Sequence, residues 1–177
     1  MGDVKQIVSV LRFATVFSRH AELFEWAVDE MSQSWGPLAV EGEPFPFDYT
    51  SYYEGTMGKG IVKRFYAFEV LVDPSELADW KKESNAWEVA CADRFPECRP
   101  LNIDPGYITE AKLVLATTKD RDHRIYLRDG IFAEVTLFFH RGSWQTRPWT
   151  YPDYADSANI PFFERCRGYL RKRLREE

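Results

Sequence analysis

An α+β fold is what this sequence predicts: one antiparallel sheet, a mixed sheet also being compatible, with helices packed on one face. Three observations carry that expectation. Apolar residues alternate in some stretches and recur at helical spacing in others, in the order strand, helix, strand, strand, helix, strand, then a hairpin and a helix. Asp129-Gly130 between two apolar runs is a strong hairpin signal. A chain of 177 residues that is 45% hydrophobic and 16% aromatic has enough apolar surface for one packed core. The first part, about 1–108, is compatible with a ferredoxin-like split βαβ unit. A β-hairpin extension over 109–158 and a last helix over 159–177 complete a single domain.

Residues 4–14 are β-branched and apolar and read as a buried strand. Over 20–34, Leu23, Phe24, Ala27, Val28 and Met31 form one helical stripe, with Ser18 as the expected cap and Gly36-Pro37 as the stop. Residues 38–48 look extended, and Pro44 and Pro46 confine their end to an edge or a loop. Gly55, Gly58 and Gly60 predict a mobile loop over 49–60. Residues 61–70 form the next strand. Asp73-Pro74-Ser75-Glu76 starts a helix whose inner face is Leu77, Trp80, Ser84, Trp87 and Cys91, and Pro96 ends the run. Residues 100–108 look extended around a Pro105-Gly106 turn. Residues 109–118 fit a short helix capped by Thr109 or a strand rich in Val and Thr. Residues 123–127 and 131–139 form the hairpin, and 144–151 add aromatic edge material. Pro161 suits the first turn of a last helix that turns Phe162, Phe163, Cys166, Tyr169 and Leu170 inward.

Charge and composition exclude several classes. A formal charge of −5 argues against non-specific nucleic-acid binding, which depends on neutralising phosphates. No stretch approaches the roughly 18 consecutive apolar residues of a membrane span. The first residues lack a basic region followed by an apolar run, and position 6 lacks the Ser or Thr of a myristoylation signal. Cys91, Cys98 and Cys166 are odd in number and show no CxxC spacing, so the expected compartment is the reducing cytoplasm. Gly58-Lys59-Gly60 lacks the spacing of a phosphate-binding loop. HExxH, GxSxG and paired HxT motifs are absent.

Six stretches carry a family resemblance: 43–48 (EPFPFD), 102–107 (NIDPGY), 112–119 (KLVLATTK), 123–127 (HRIYL), 133–137 (AEVTL) and 148–154 (PWTYPDY). Together they resemble an uncharacterised bacterial family, the domain of unknown function numbered 4416, over roughly residues 4–172. The resemblance implies a stand-alone cytoplasmic protein and implies no activity.

Candidate chemistry concentrates between residues 102 and 136, where ionisable side chains alternate with apolar ones. Buried charge needs a partner or a job. A two-residue turn at Asp129-Gly130 sets Ile125 opposite Glu134 and His123 opposite Thr136, with Glu134 diagonal to His123. That register makes His123 and Glu134 an acid/base couple. A three-residue loop including Arg128 instead sets Arg124 opposite Glu134, a structural ion pair. In both registers Glu134 shares a face with Phe132 and Phe138. Lys112, Lys119 and Arg124 are candidates to converge with Asn102 on a phosphate or carboxylate. The competing reading is a solvated charged turn. Asp104, before Pro105-Gly106, is a metal ligand or base, or else a turn-organising side chain. Glu41, Glu43 and Asp48 are oxygen ligands by type but read first as an exposed acidic edge, so no metal site is assigned. Trp144, Trp149, Tyr151 and Tyr154 either stack on a ring or cover the sheet edge. The arginines of the last helix read first as a solvated face. Buried Cys91 is expected to be inert.

Two functional expectations follow. In the first, the protein binds or acts on a small anionic or phosphorylated ligand. His123 and Glu134 supply acid/base chemistry, and Asn102, Asp104, Lys112, Lys119, Arg124, Tyr126, Thr136 and Trp149 bind. In the second, a non-catalytic interaction module offers its aromatic edge and basic last helix to a partner protein or RNA. The sequence specifies neither a cofactor nor an oligomeric state.

Overall fold

The computed structural model describes residues 2–3 and 6–176. Residues 4, 5 and 177, which the sequence assigns to the first strand and last helix, lie outside the described residues. The described elements are β1 (Val10–Ser18), α1 (Ala21–Trp35), β2 (Leu38–Glu41), β3 (Phe45–Pro46), α2 (Glu54–Met57), β4 (Val62–Val72), α3 (Leu77–Ala92), β5 (Leu101–Ile108), β6 (Lys112–Thr117), β7 (Ile125–Arg128), β8 (Ile131–His140), β9 (Ser143–Thr146), α4 (Pro152–Ala155) and α5 (Ile160–Glu176). They form an α+β fold around one open antiparallel sheet of nine strands, in the order β2-β4-β1-β5-β6-β8-β7, with β3 against β4 and β9 against β8.

Strand alternation sends side chains to two cores. Val10, Ala14 and Val16 of β1 face α1 and α3, where Leu23, Met31, Leu77, Trp80 and Cys91 meet them. Leu11 and Phe13 point the other way, onto Phe162, Phe163, Cys166 and Leu170 of α5. The expectation of helices on one face is therefore corrected: α5 covers the reverse face. The physical reason is that β1, β4 and β5 are apolar on both sides, so both need a lid. On the α1/α3 side, Arg12 is buried between the rings of Trp35 and Trp80, at 5.0 and 4.9 Å. Burial pushes its guanidinium down to about 10, against the opposing pull of Glu76 and Glu83.

Other expectations also change. The first strand starts at Val10 rather than residue 4. His20, not Ser18, takes the N-cap position of α1, and the Ser18 hydroxyl accepts the His20 N–H at 3.0 Å. The glycine-rich loop contains the single turn α2, and Met57 is fully buried against Phe17 and Ile61. Residues 109–118 are a strand entered through a turn: Thr109 accepts from the N–H of Ala111 and Lys112 instead of capping a helix.

Pro105-Gly106 is not a turn but lies inside β5. β5 pairs with β1 along its whole length, whereas its ladder with β6 covers only Gly106–Ile108. A Cβ on Gly106 would lie 2.3 Å from the Val114 carbonyl oxygen and 2.7 Å from the Phe13 ring, so glycine is required by close approach. Pro105, without an N–H, sits where β6 departs. Beyond that point the sheet splits.

Candidate functional site

The split exposes backbone of β5 that no strand covers, and α3 supplies the missing partners. Glu88 accepts the Ile103 N–H at 2.8 Å, and the Lys81 ammonium donates to the Ile103 carbonyl at 2.9 Å. Lys81 and Glu88 thus stand in for the absent ladder, as buried backbone groups require. The same ammonium reaches through the gap to Asp104 at 2.9 Å. Asp104 also accepts from Asn102 at 2.9 Å, and Asn102 accepts from Arg99, which is paired with Glu88 at 2.9 Å. Burial pushes the Asp104 carboxyl up. The Lys81 ammonium, helped by Lys63 and Arg99, outweighs this and holds it below its usual range.

Over this network lies a cavity of about 530 Å³. One wall is the open half of β5, and the facing wall is the end of β6. The 47–53 and 151–154 segments supply aromatic rings, among them Tyr49, Tyr52, Tyr53 and Tyr151. Tyr49 ties the two segments together by donating to Asp156 at 2.6 Å. The Tyr151 phenol is pushed up to about 12 by burial, with Glu134 adding to the effect. Lys63, Lys81, Arg99, Lys119, Arg121 and Arg124 line the cavity beside only three carboxylates, Asp104, Glu134 and Asp153.

Four of those cations are consumed by carboxylates: Lys63 by Asp153 at 2.6 Å, Lys81 by Asp104, Arg99 by Glu88 and Arg124 by Glu134 at 2.7 Å. Lys119 and Arg121, on the loop after β6, have no carboxylate partner among the described residues. Lys119 donates to the Tyr52 hydroxyl at 3.0 Å, which lowers the phenol's pKa. Among the described residues, no group of three His, Cys, Asp or Glu side chains is arranged to hold a metal ion.

The hairpin follows a path between the two registers considered. Asp129 and Gly130 both have positive φ, 54° and 76°, as a two-residue turn demands. A bulge between Tyr126 and Arg128 then shifts the pairing to Ile125 opposite Ala133. Arg124 therefore meets Glu134, although the turn is two residues long. His123 still arrives: its Nε2 lies 3.4 Å from the same Glu134 oxygen. Thr136 donates to the other oxygen at 3.1 Å. The His123 ring stacks on Trp149, with centroids 4.8 Å apart and planes at 12°, while Trp149 donates to the Val135 carbonyl.

Of the residues read as site candidates, Asn102, Asp104, Lys119, Arg124 and Glu134 line the cavity. His123, Thr136 and Trp149 stand behind Glu134 rather than on the wall. Lys112 lies at the far end of β6, opposite Phe138, and Tyr126 is exposed on β7 against Phe132. Trp144 is buried beside Phe139 and Phe163, covering the α5-side core. Glu41 pairs with Arg64 at 3.0 Å.

Sequence reasoning missed Lys63, Lys81, Arg99, Arg121 and Asn85. One signal was present for the α3 residues. Lys81, Asn85 and Glu88 recur at helical spacing beside the apolar stripe, an unusual polar row for a helix that packs on a sheet. Lys63 carried no such signal, because only the fold sets it among Phe17, Phe47 and Tyr154.

The geometry defines a class: an open-sheet α+β protein with a cationic, aromatic-walled cleft at a break between two strands. The chain matches the family described as domain of unknown function DUF4416 over residues 8–169, and it belongs to that family. No curated protein and no solved structure matches it. Among the described residues, no helix is long and apolar enough to cross a membrane.

Proposed function

We propose that the protein binds a small anionic, phosphorylated ligand in the cleft between β5 and β6. One observation carries this reading: two of the six cations that line the cleft, Lys119 and Arg121, have no carboxylate partner among the described residues, in a chain whose formal charge is −5. A concave site with one sign of excess charge concentrates ions of the other sign. Lys119 and Arg121 are the groups that receive the anion, because the remaining cations already have carboxylates. The cavity volume falls within the range of small-molecule sites.

Glu134 serves in this reading as the anchor of Arg124. Arg124, His123 and Thr136 all converge on it, which fixes the guanidinium. The acid/base couple expected of His123 and Glu134 shares its carboxylate oxygen with Arg124, at 3.4 and 2.7 Å. Thermal-shift titration with orthophosphate and phosphorylated metabolites tests the reading. The melting temperature should rise for the wild type and stay flat for the Lys119→Ala/Arg121→Ala double variant. A flat wild-type response across the panel sinks the proposal.

The alternative, a non-catalytic interaction module for a protein or RNA, draws support from β7. This edge strand exposes Ile125 and Tyr126 at 71% and 59%. The basic last helix supports it less, since Arg165 donates to the Glu41 carbonyl and Arg167 to that of Glu110. Three free cysteines, two of them buried, support a cytoplasmic location. The order β2-β4-β1-β5, with α1 and α3 on one side, supports a ferredoxin-like reading of the first part.

A further inference from the structure

We infer that the ligand is the phosphate ester of a neutral, hydroxylated ring compound, and that Asn85 reads its uncharged body. The inference rests on the anion-binding reading above and extends it to the rest of the ligand. The argument starts from how charge is distributed with depth. At the base of the cleft the buried Lys63 and Lys81 meet Asp153 and Asp104, and the more exposed Arg99 above them meets Glu88, one for one. A second anionic group there would find no unspent cation, and desolvating it would be costly. The excess lies at the mouth, with Lys119 and Arg121. A ligand that fits therefore carries its charge at one end.

The deeper part is polar without being charged overall. Among the described residues the Lys63 ammonium donates to Asp153 alone, and the second Asp153 oxygen takes no hydrogen bond. Asn85 is the clearest case. It lies on the polar row of α3 between Lys81 and Glu88, both of which are spent on the backbone of β5. Asn85 lines the cavity, is partly buried, and its amide makes no hydrogen bond to any described residue. An amide offers donors and an acceptor together, which suits hydroxyl groups rather than an ion. The tyrosine walls add flat faces against which a sugar or base ring can lie.

Isothermal titration of the full chain tests this with glucose phosphate, adenosine monophosphate, orthophosphate, glucose and adenosine. Wild type should bind one of the two esters at least tenfold more tightly than orthophosphate, and neither glucose nor adenosine comparably. Preference for glucose phosphate assigns a saturated ring, and preference for adenosine monophosphate assigns a base-bearing one. Asn85→Ala should weaken the preferred ester about tenfold and leave orthophosphate unchanged, the size of one lost hydrogen bond. Arg121→Ala should weaken ester and orthophosphate together. Alanine is a strong helix former, so the Asn85 variant should fold, and circular dichroism checks it. Orthophosphate binding as tightly as both esters, or an unchanged ester affinity in Asn85→Ala, overturns the inference and leaves the anion site standing. No binding of any phosphate compound by the wild type overturns both.

Discussion

The base and the mouth of one cleft use the same residue types in opposite ways. Lys63 and Lys81 are almost fully buried, each within 3 Å of a carboxylate, and hold the structure together. Lys119 and Arg121 are exposed and have no carboxylate partner among the described residues. The difference teaches that charge in a cavity signals recognition only where it is left unbalanced. Where it is matched it is structural: Lys81 replaces a hydrogen bond that the broken sheet has lost, and Lys63 holds Asp153.

The contrast is tested most severely at Asp153. Asp153→Ala strands Lys63 as a buried, unpaired cation among aromatic rings. A loss of about 3–5 kcal/mol in urea unfolding is expected. A loss below about 1 kcal/mol would mean that Lys63 escapes to water and that the base is not locked. Gly106→Ala comes next. The added Cβ meets the Val114 carbonyl and the Phe13 ring, so about 1–3 kcal/mol should be lost as β6 is pushed away.

Asp104 supplies a pH-dependent test. Its folded pKa lies below the unfolded value of 3.8, so its contribution is fully present above that value and disappears as the pH falls through the folded pKa. Wild type should lose stability on this limb, and Asp104→Asn should flatten it while costing stability at neutral pH. The smallest stability effect belongs to the mouth. Lys119→Ala with Arg121→Ala should shift stability by less than about 0.5 kcal/mol. A larger shift would show that these cations, too, are structural.

Much of the fold was legible because local patterns and tertiary demands agree. The stripe of Leu23, Ala27 and Met31 is buried as its spacing requires, and Asp73-Pro74 starts a helix, with Asp73 accepting the Ser75 N–H at 2.8 Å. Pro105-Gly106 misled because those residues usually mark turns, whereas here they answer a non-local event, the departure of β6. The hairpin bulge was illegible for a related reason. The turn fixes only its own two residues, and the choice of Arg124 over Ile125 opposite Glu134 is made by packing on β8. At the site, residues 102–134 drew attention through their density of charge. The rest came from β4, α3 and the 47–53 segment, which only folding brings near.

The brief ladder at Gly106–Ile108 leaves the sheet as two slabs sharing a narrow seam. The slab of β2, β4, β1 and β5 is braced by α1. The slab of β6, β8 and β7 is held to α3 by Arg128–Asp79 and Lys82–Asp129 at its far tip. A molecule lodged in the gap would act as a wedge and a rivet at once, so its arrival should slow amide exchange at Ile103 and along β6 together, far beyond the atoms it touches.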